Sequence, residues 1–233
     1  MLMGEIVPAR SLVRAMVSLL SNGSYSFTEA ARFTGLRRGR VREWFVDRRR
    51  QLPVFVSDYG DQTEEKLISF HDLIEVFIAG QLRERGVSLQ TVRKSRAAMI
   101  ARFGVKHPFC LKSLAVAGGK VLYVDLQDSE REQVHDVLTS QRVFPEIIRP
   151  FLKRLDYDAA TDAAMRWRIA DGVELDPGIC FGRPITSISK KPTYLLSAAF
   201  DGHGRDAESV ARWFGVNREE VEAAVAFEAQ QSA

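Results

Sequence analysis

Arg37, Arg38, Arg40 and Arg42 place four guanidinium groups within six residues, and Arg48 and Arg49 follow soon after. A guanidinium stays charged at any physiological pH, pairs with phosphate oxygens through two parallel donors, and forks onto guanine in a major groove. This spacing therefore offers polyanion binding, with double-stranded DNA as the ligand. The competing reading is a solvated helix face. Glu43 and Asp47 fit that reading, since they also point outward and would repel phosphates.

Other reactive residue types are scattered. The histidines, His71, His107, His135 and His203, stand in no nucleophile–base or metal-ligand motif. Cys110 and Cys180 lack the spacing of a zinc site and are too few for a disulfide framework. Asp58, Asp61, Glu64 and Glu65 could attract a divalent ion, but acidic stretches of this kind are usually solvated loops. Gly118-Gly119-Lys120 lacks the spacing of a phosphate loop. No catalytic residue, metal ligand or cofactor is expected, and the chain reads as a binding protein rather than an enzyme.

The 233 residues are 45% apolar and 27% charged, the balance of an ordinary globular protein. The net charge is only +3, but residues 1–50 carry +6 and the rest −3. A basic end on a nearly neutral chain is the pattern of one polyanion-binding module. No apolar run approaches the roughly 20 residues that span a bilayer. Arg10 and Arg14 interrupt the N-terminal apolar stretch and spoil a secretory signal. A cytoplasmic protein with no membrane partner is expected.

The elements that must position the arginines can be read locally. Ser26 and Glu29 have capping-box spacing, so a helix starts there. Gly35 can adopt the left-handed conformation that ends it. A second helix runs from about Arg37 to Phe45, with Val41, Trp44 and Phe45 on the buried face, Arg38 and Arg42 on one flank and Arg40 on the other. Such a helix–turn–helix presents its second helix to a major groove. A hairpin wing follows, pairing Val54–Val56 with Leu67–Ser69. Ser69 then caps a helix ending at Gly86, and Ser88 caps another reaching Gly104. Further on, a hairpin is expected at Leu114–Val116 and Val121–Val124, a helix through "EQVHDVLTSQRVFPEIIRPFLKRLDYD", and two short strands around Asp171–Gly172 with Trp167 in the core.

The segments "SFTEAARFTGL", "VREWF", "ISFHDL" and "LRERGVSLQTVRK" resemble the winged helix-turn-helix domain of MerR-family transcription regulators over roughly residues 25–103. That resemblance implies a phosphate contact for Arg42 and further contacts from the wing. Two features depart from the family: "EKLIS" stands at the base of the wing, and no long heptad helix follows residue 104. The stretch from Val173, with Asp176-Pro177, Gly182-Arg183-Pro184-Ile185, Pro192-Thr193 and "ESVARWFGVNREEVEAAV", resembles a small homeodomain-like domain of unknown function 433. Ile188-Ser189-Lys190 replaces that family's Gly-Thr-Arg. Together the two halves resemble VapB-type antitoxins of type II toxin–antitoxin pairs, which implies a PIN-domain ribonuclease toxin as partner.

"AARFTGLRRGRV" and "VARWFGVNREEV" align within the chain, and Gly86 to Val92 repeats the same step. The outward positions differ. The first corner has its arginines where the last has Asn217, Arg218, Glu219, Glu220 and Glu222, and Asn217 with Glu220 has the spacing of a capping box. An acidic second helix repels DNA. The last corner is thus expected to make protein contacts through Glu219, Glu222 and Phe227, with Lys190 and Lys191 as candidate phosphate contacts nearby, and the Gly86 corner to serve packing alone.

The expected architecture is mainly α with small β hairpins. It comprises a MerR-like winged helix-turn-helix domain (1–105), a linking hairpin and helix region (106–172) and a C-terminal homeodomain-like domain (173–233). The expected function is a homodimeric antitoxin that represses its own operator. The alternative is a MerR-like regulator that senses a small molecule in a pocket lined by Phe109, Tyr123 and Trp167.

Overall fold

The computed structural model describes residues 22–46, 53–60, 67–112, 114–117, 120–125, 133–136 and 154–232. The architecture is mainly α with small antiparallel sheets. Strand β1 (Tyr25–Ser26) leads into α1 (Phe27–Thr34) and α2 (Arg38–Phe45). Strand β2 (Leu67–Ile68) precedes α3 (Phe70–Glu84) and α4 (Leu89–Phe103). Strands β3 (Leu114–Ala117), β4 (Lys120–Asp125) and β5 (Gln133–Asp136) form one sheet. Strands β6 (Leu155–Tyr157), β7 (Ala164–Ala170), β8 (Val173–Leu175) and β9 (Ile185–Thr186) form a four-stranded meander. Helices α5 (Thr193–Gly202), α6 (Ala207–Phe214) and α7 (Arg218–Ser232) close the chain. No described helix is long and apolar enough to cross a membrane.

Helix α3 is buried on almost every side, because "FHDLIEVFIAGQL" is apolar around most of its circumference; of its polar residues, His71 and Gln81 are half-buried and Asp72 and Glu75 are fully buried. Gly80 lets Leu36 close on this helix: a Cβ there would lie 3.2 Å from Leu36 Cδ1. In β7 the period of two places Trp167 and Ile169 inward with Arg168 exposed between them, and a register shift opposite Asp156 and Tyr157 changes the phase so that Ala164 is buried and Met165 exposed. Trp167 packs against Phe77 of α3 with ring centroids 4.5 Å apart and planes tilted by 33°.

Three local expectations differ from what forms. Val54–Val56 is not a strand, and Leu67–Ile68 pairs with Tyr25–Ser26 rather than with it. Val54 and Phe55 are adjacent and both buried, which a half-exposed strand does not allow. Their N–H groups donate to the Trp44 carbonyl at 2.8 and 3.0 Å, satisfying an orphan acceptor at the end of α2. Gln133–Asp136, expected as helix, is strand β5, paired with β4 in the register Leu122↔Asp136. Leu155–Tyr157, at the other end of that expected helix, is strand β6, and residues 137–153 lie outside the described residues.

The largest core runs through residues on both sides of 105 and 172. It joins Phe27, Trp44 and Phe70 to Leu155, Trp167, Val173 and Phe227. A smaller cluster, Leu196, Val210, Ala211, Val221 and Ala224, holds α5, α6 and α7 together.

Candidate nucleic-acid interface

The corner forms as the spacing requires. Ser26 Oγ accepts from Glu29 N–H at 3.2 Å, and Glu29 Oε2 accepts from Ser26 N–H at 2.8 Å. Gly35 ends α1 in the left-handed region at φ 71°. Behind α2, Val41, Trp44 and Phe45 are buried. Phe55 packs against Trp44 and Phe45, with ring centroids 6.0 and 5.6 Å away, and Phe27 packs against Phe45 at 5.4 Å.

On the outer side, Arg37, Arg38, Arg40 and Arg42 are all exposed, with Gly39 and Glu43. Among the described residues no ion pair or side-chain hydrogen bond engages these four guanidiniums. Arg37 caps α2 without a side-chain bond, and no acidic residue sits in the first turn. Helix N–H donors and guanidiniums therefore share one end of the helix, a field that favours anions. Arg48 and Arg49 lie outside the described residues.

The last corner has the same backbone and a different surface. Gly215 takes φ 63° at the end of α6. Glu219 and Glu222 are exposed, and Glu222 accepts from Arg218 at 2.8 Å. Glu220, counted among the outward positions, is buried: its Oε2 accepts from Asn217 N–H at 3.2 Å, as the capping-box spacing requires, and its Oε1 accepts from Ser189 N–H at 2.8 Å, a contact the sequence did not show. Burial pushes its carboxyl up, but hydrogen bonds from Ser189 outweigh this and hold it below its ordinary value. Lys190 is spent on the buried Glu174 and so does not reach for phosphate, whereas Lys191 is exposed. Phe227, expected as a partner contact, is 3% exposed and packs on Phe33 at 6.4 Å, so its ring belongs to the core. Arg32 also reaches across, donating from Nη2 to the Gln231 carbonyl.

A second cluster includes Asp58, singled out in the sequence beside Asp61, Glu64 and Glu65, which lie outside the described residues. Arg96 clamps the fully buried Glu75 with bonds of 3.0 Å from Nε and 2.8 Å from Nη2 to Oε2. His107 bridges Asp58 Oδ1 (3.0 Å, Nε2) and Glu75 Oε2 (3.4 Å, Nδ1). Lys106 also reaches Asp58, and Ser69 Oγ donates to it at 2.5 Å. Burial pushes the His107 imidazole down, but the bonds to Asp58 and Glu75 overcome it and raise it to about 9. Burial pushes Asp58 up, and bonds from His107, Lys106 and Ser69 reverse this and hold it far below the usual carboxylate range. Asp72 is raised by burial, which outweighs the N–H bonds from Asp58 and Ser69. His71 stacks on His107 at 5.5 Å and is lowered by burial and by the neighbouring charge. Cys110 is buried and its thiol is raised well above its ordinary value. Asp58, Asp72 and His107 bring one ligand atom each to within 4.8 Å of one another, a grouping the expectation of no metal ligand had missed. The local signals were the acidic character of the segment holding Asp58 and the cap at Ser69, which forms a capping box with Asp72.

Phe109 and Trp167, expected to line a ligand pocket, are buried within the packed core, at 0% and 2% exposure. The side chain of Tyr123 lies outside what is described.

No protein-family model matches the chain, and no curated protein does. In fold it is similar to the crystal structure of Rv2018 from Mycobacterium tuberculosis. The TM-score is 0.62 and the sequence identity 18%, over 86% of this chain and 96% of that one. At that identity the likeness is one of fold.

Proposed function

We propose that the chain binds double-stranded DNA through α1 and α2, and that it acts as an autoregulating antitoxin of a type II pair. The observation that carries the DNA reading is the two-sidedness of α2. Val41, Trp44 and Phe45 anchor one face, and Arg37, Arg38, Arg40 and Arg42 stand exposed and without an ion pair to a described residue on the other. A homodimer would set two such helices about 34 Å apart, one turn of the duplex.

The antitoxin reading rests on the sequence resemblance and takes support from the distribution of exposed apolar side chains. Among the described residues, Phe181, Ile188, Tyr194, Leu195 and Trp213 all lie exposed in the C-terminal region, with Glu219 and Glu222 following. That mixture suits a protein partner, here a PIN-domain ribonuclease, better than a phosphate backbone.

The test is a gel-shift titration on the DNA upstream of the chain's own coding region. Arg38→Ala with Arg42→Ala should weaken binding and flatten its salt dependence by roughly 0.9 in the log–log slope for each phosphate no longer neutralised. Unchanged affinity and slope would remove α2 from the interface. Copurification with a small nuclease encoded beside it tests the antitoxin role separately.

A further inference from the structure

Among the described residues, one carboxylate oxygen of the buried Asp72 lacks a hydrogen bond. The Asp72 side chain has no exposed surface. Its Oδ2 accepts from the N–H groups of Ser69 and Asp58, both at 3.0 Å, while Oδ1 has no hydrogen bond at all. His107 Nδ1 stands 3.8 Å from Oδ1, beyond hydrogen-bonding reach. His107 therefore offers this oxygen charge at a distance but no bond, and a buried carboxylate oxygen without a bond has room for a closer cation.

The surroundings supply the other ligands. Asp58 Oδ1 and His107 Nε2 are 3.0 Å apart, about the edge of an octahedron with bonds of about 2.1 Å. The three ligand atoms fit within 4.8 Å, so adjustments of a few tenths of an ångström at each close a coordination sphere about 4.2 Å across. Glu75, held by Arg96, accepts from His107 Nδ1 at 3.4 Å. That bond directs Nε2 toward Asp58, the arrangement in which a carboxylate orients a metal-binding imidazole.

We propose that Asp58, Asp72 and His107 form a binding site for a divalent first-row metal ion, Zn2+ or Mn2+, which displaces to solvent the Nε2 proton that His107 otherwise shares with Asp58. The ligands come from the segment after α2, the first turn of α3 and the segment after α4, so the ion ties these three together. Two carboxylates and one imidazole, with no thiolate, suit such an ion; Ca2+ asks for six to eight oxygens. Lys106 shares Asp58 with His107 and its side chain is 59% exposed, so it can swing into solvent when the ion takes its place.

The experiment is calorimetric titration of the chelator-treated full chain with Zn2+, Mn2+ and Ca2+, beside thermal melts. Wild type should bind one Zn2+ or Mn2+ per chain, melt higher with it and ignore Ca2+. Asp72→Asn and His107→Gln, checked for folding by circular dichroism, should bind at least about a hundredfold more weakly, since even outer partners of a metal site cost 10- to 100-fold. Lys106→Ala, which removes a competing charge, should bind more tightly. The site is overturned by a wild-type chain that takes up neither ion, or by folded Asp72→Asn and His107→Gln that bind as wild type does. The wild-type titration decides the matter even where a variant fails to fold.

Discussion

Arg96 and Glu75 show at the residue scale how much one pair can carry. Glu75 sits on an apolar helix with none of its side chain exposed, and Arg96 reaches it from α4 while lying 5.3 Å from the Phe55 ring centre. An uncompensated buried charge costs about 3–5 kcal/mol, and with Arg96 gone Glu75 keeps, among the described residues, only His107 Nδ1 and the Phe109 N–H, each at 3.4 Å, so the loss belongs at the lower end of that range. Arg96→Ala should lower unfolding stability by that amount in urea denaturation, and Arg96→Ala with Glu75→Leu should recover most of it. A single variant within about 0.5 kcal/mol of wild type would show that water reaches Glu75. Tyr25 makes a second long reach, donating from its hydroxyl to the Gly182 carbonyl at 2.8 Å. Gly182 sits at φ 78°, and a Cβ there would meet Tyr25 Oη at 2.2 Å. Only glycine fits that contact.

Helices α3 and α4 and the segments beside them are tied by charges that titrate, so the metal-free chain has a pH signature at the scale of elements. His107 rises from 6.5 to about 9 on folding. The folded state binds its proton more tightly than the unfolded one, so this contribution is complete below about pH 6.5 and disappears as pH climbs through about 9. Asp58 shifts the other way. Its contribution is present at neutral pH and fades as pH falls below the ordinary carboxylate value. Both shifts report one interaction and are not summed. Thermal melts in chelator should therefore fall between pH 6.5 and 9 for wild type and flatten there in His107→Gln. Equal slopes in the two proteins would mean His107 is neutral in the fold.

Across the whole molecule, the expected boundaries at 105 and 172 do not coincide with gaps in the core. Phe227 from the last helix packs on Phe33 from the first, and β8 completes the sheet whose Trp167 rests on Phe77. Phe227→Ala should cost about 3–5 kcal/mol and should lower the unfolding midpoint read near Trp44 as much as that read near Trp213. Single-tryptophan variants report each location by fluorescence. Separate transitions, with only the Trp213 signal shifted, would make the C-terminal region an independent unit. By the same packing, a chain cut at residue 172 would expose Phe33 and Trp167, so loss of DNA binding in it would reflect unfolding rather than a missing phosphate contact.

Where neighbours along the chain decide, the sequence was enough: the Ser26–Glu29 box, the left-handed Gly35 and the buried trio of Val41, Trp44 and Phe45 are set by spacings of three and four residues. So were the hairpin at β3 and β4 and the turn at Gly172. The exposed arginines follow from the same periodicity, since a helix with one apolar face must show its other face to solvent. Tertiary structure alone decided the partner of Leu67, the contact of Glu220 with Ser189, the burial of Phe227 and the meeting of Asp58, Asp72 and His107. Each depends on groups far apart in the chain, such as His107 and Asp58 at a separation of 49 residues. Local propensity carries no information about such meetings; only the packing of the whole core brings those groups within bonding distance.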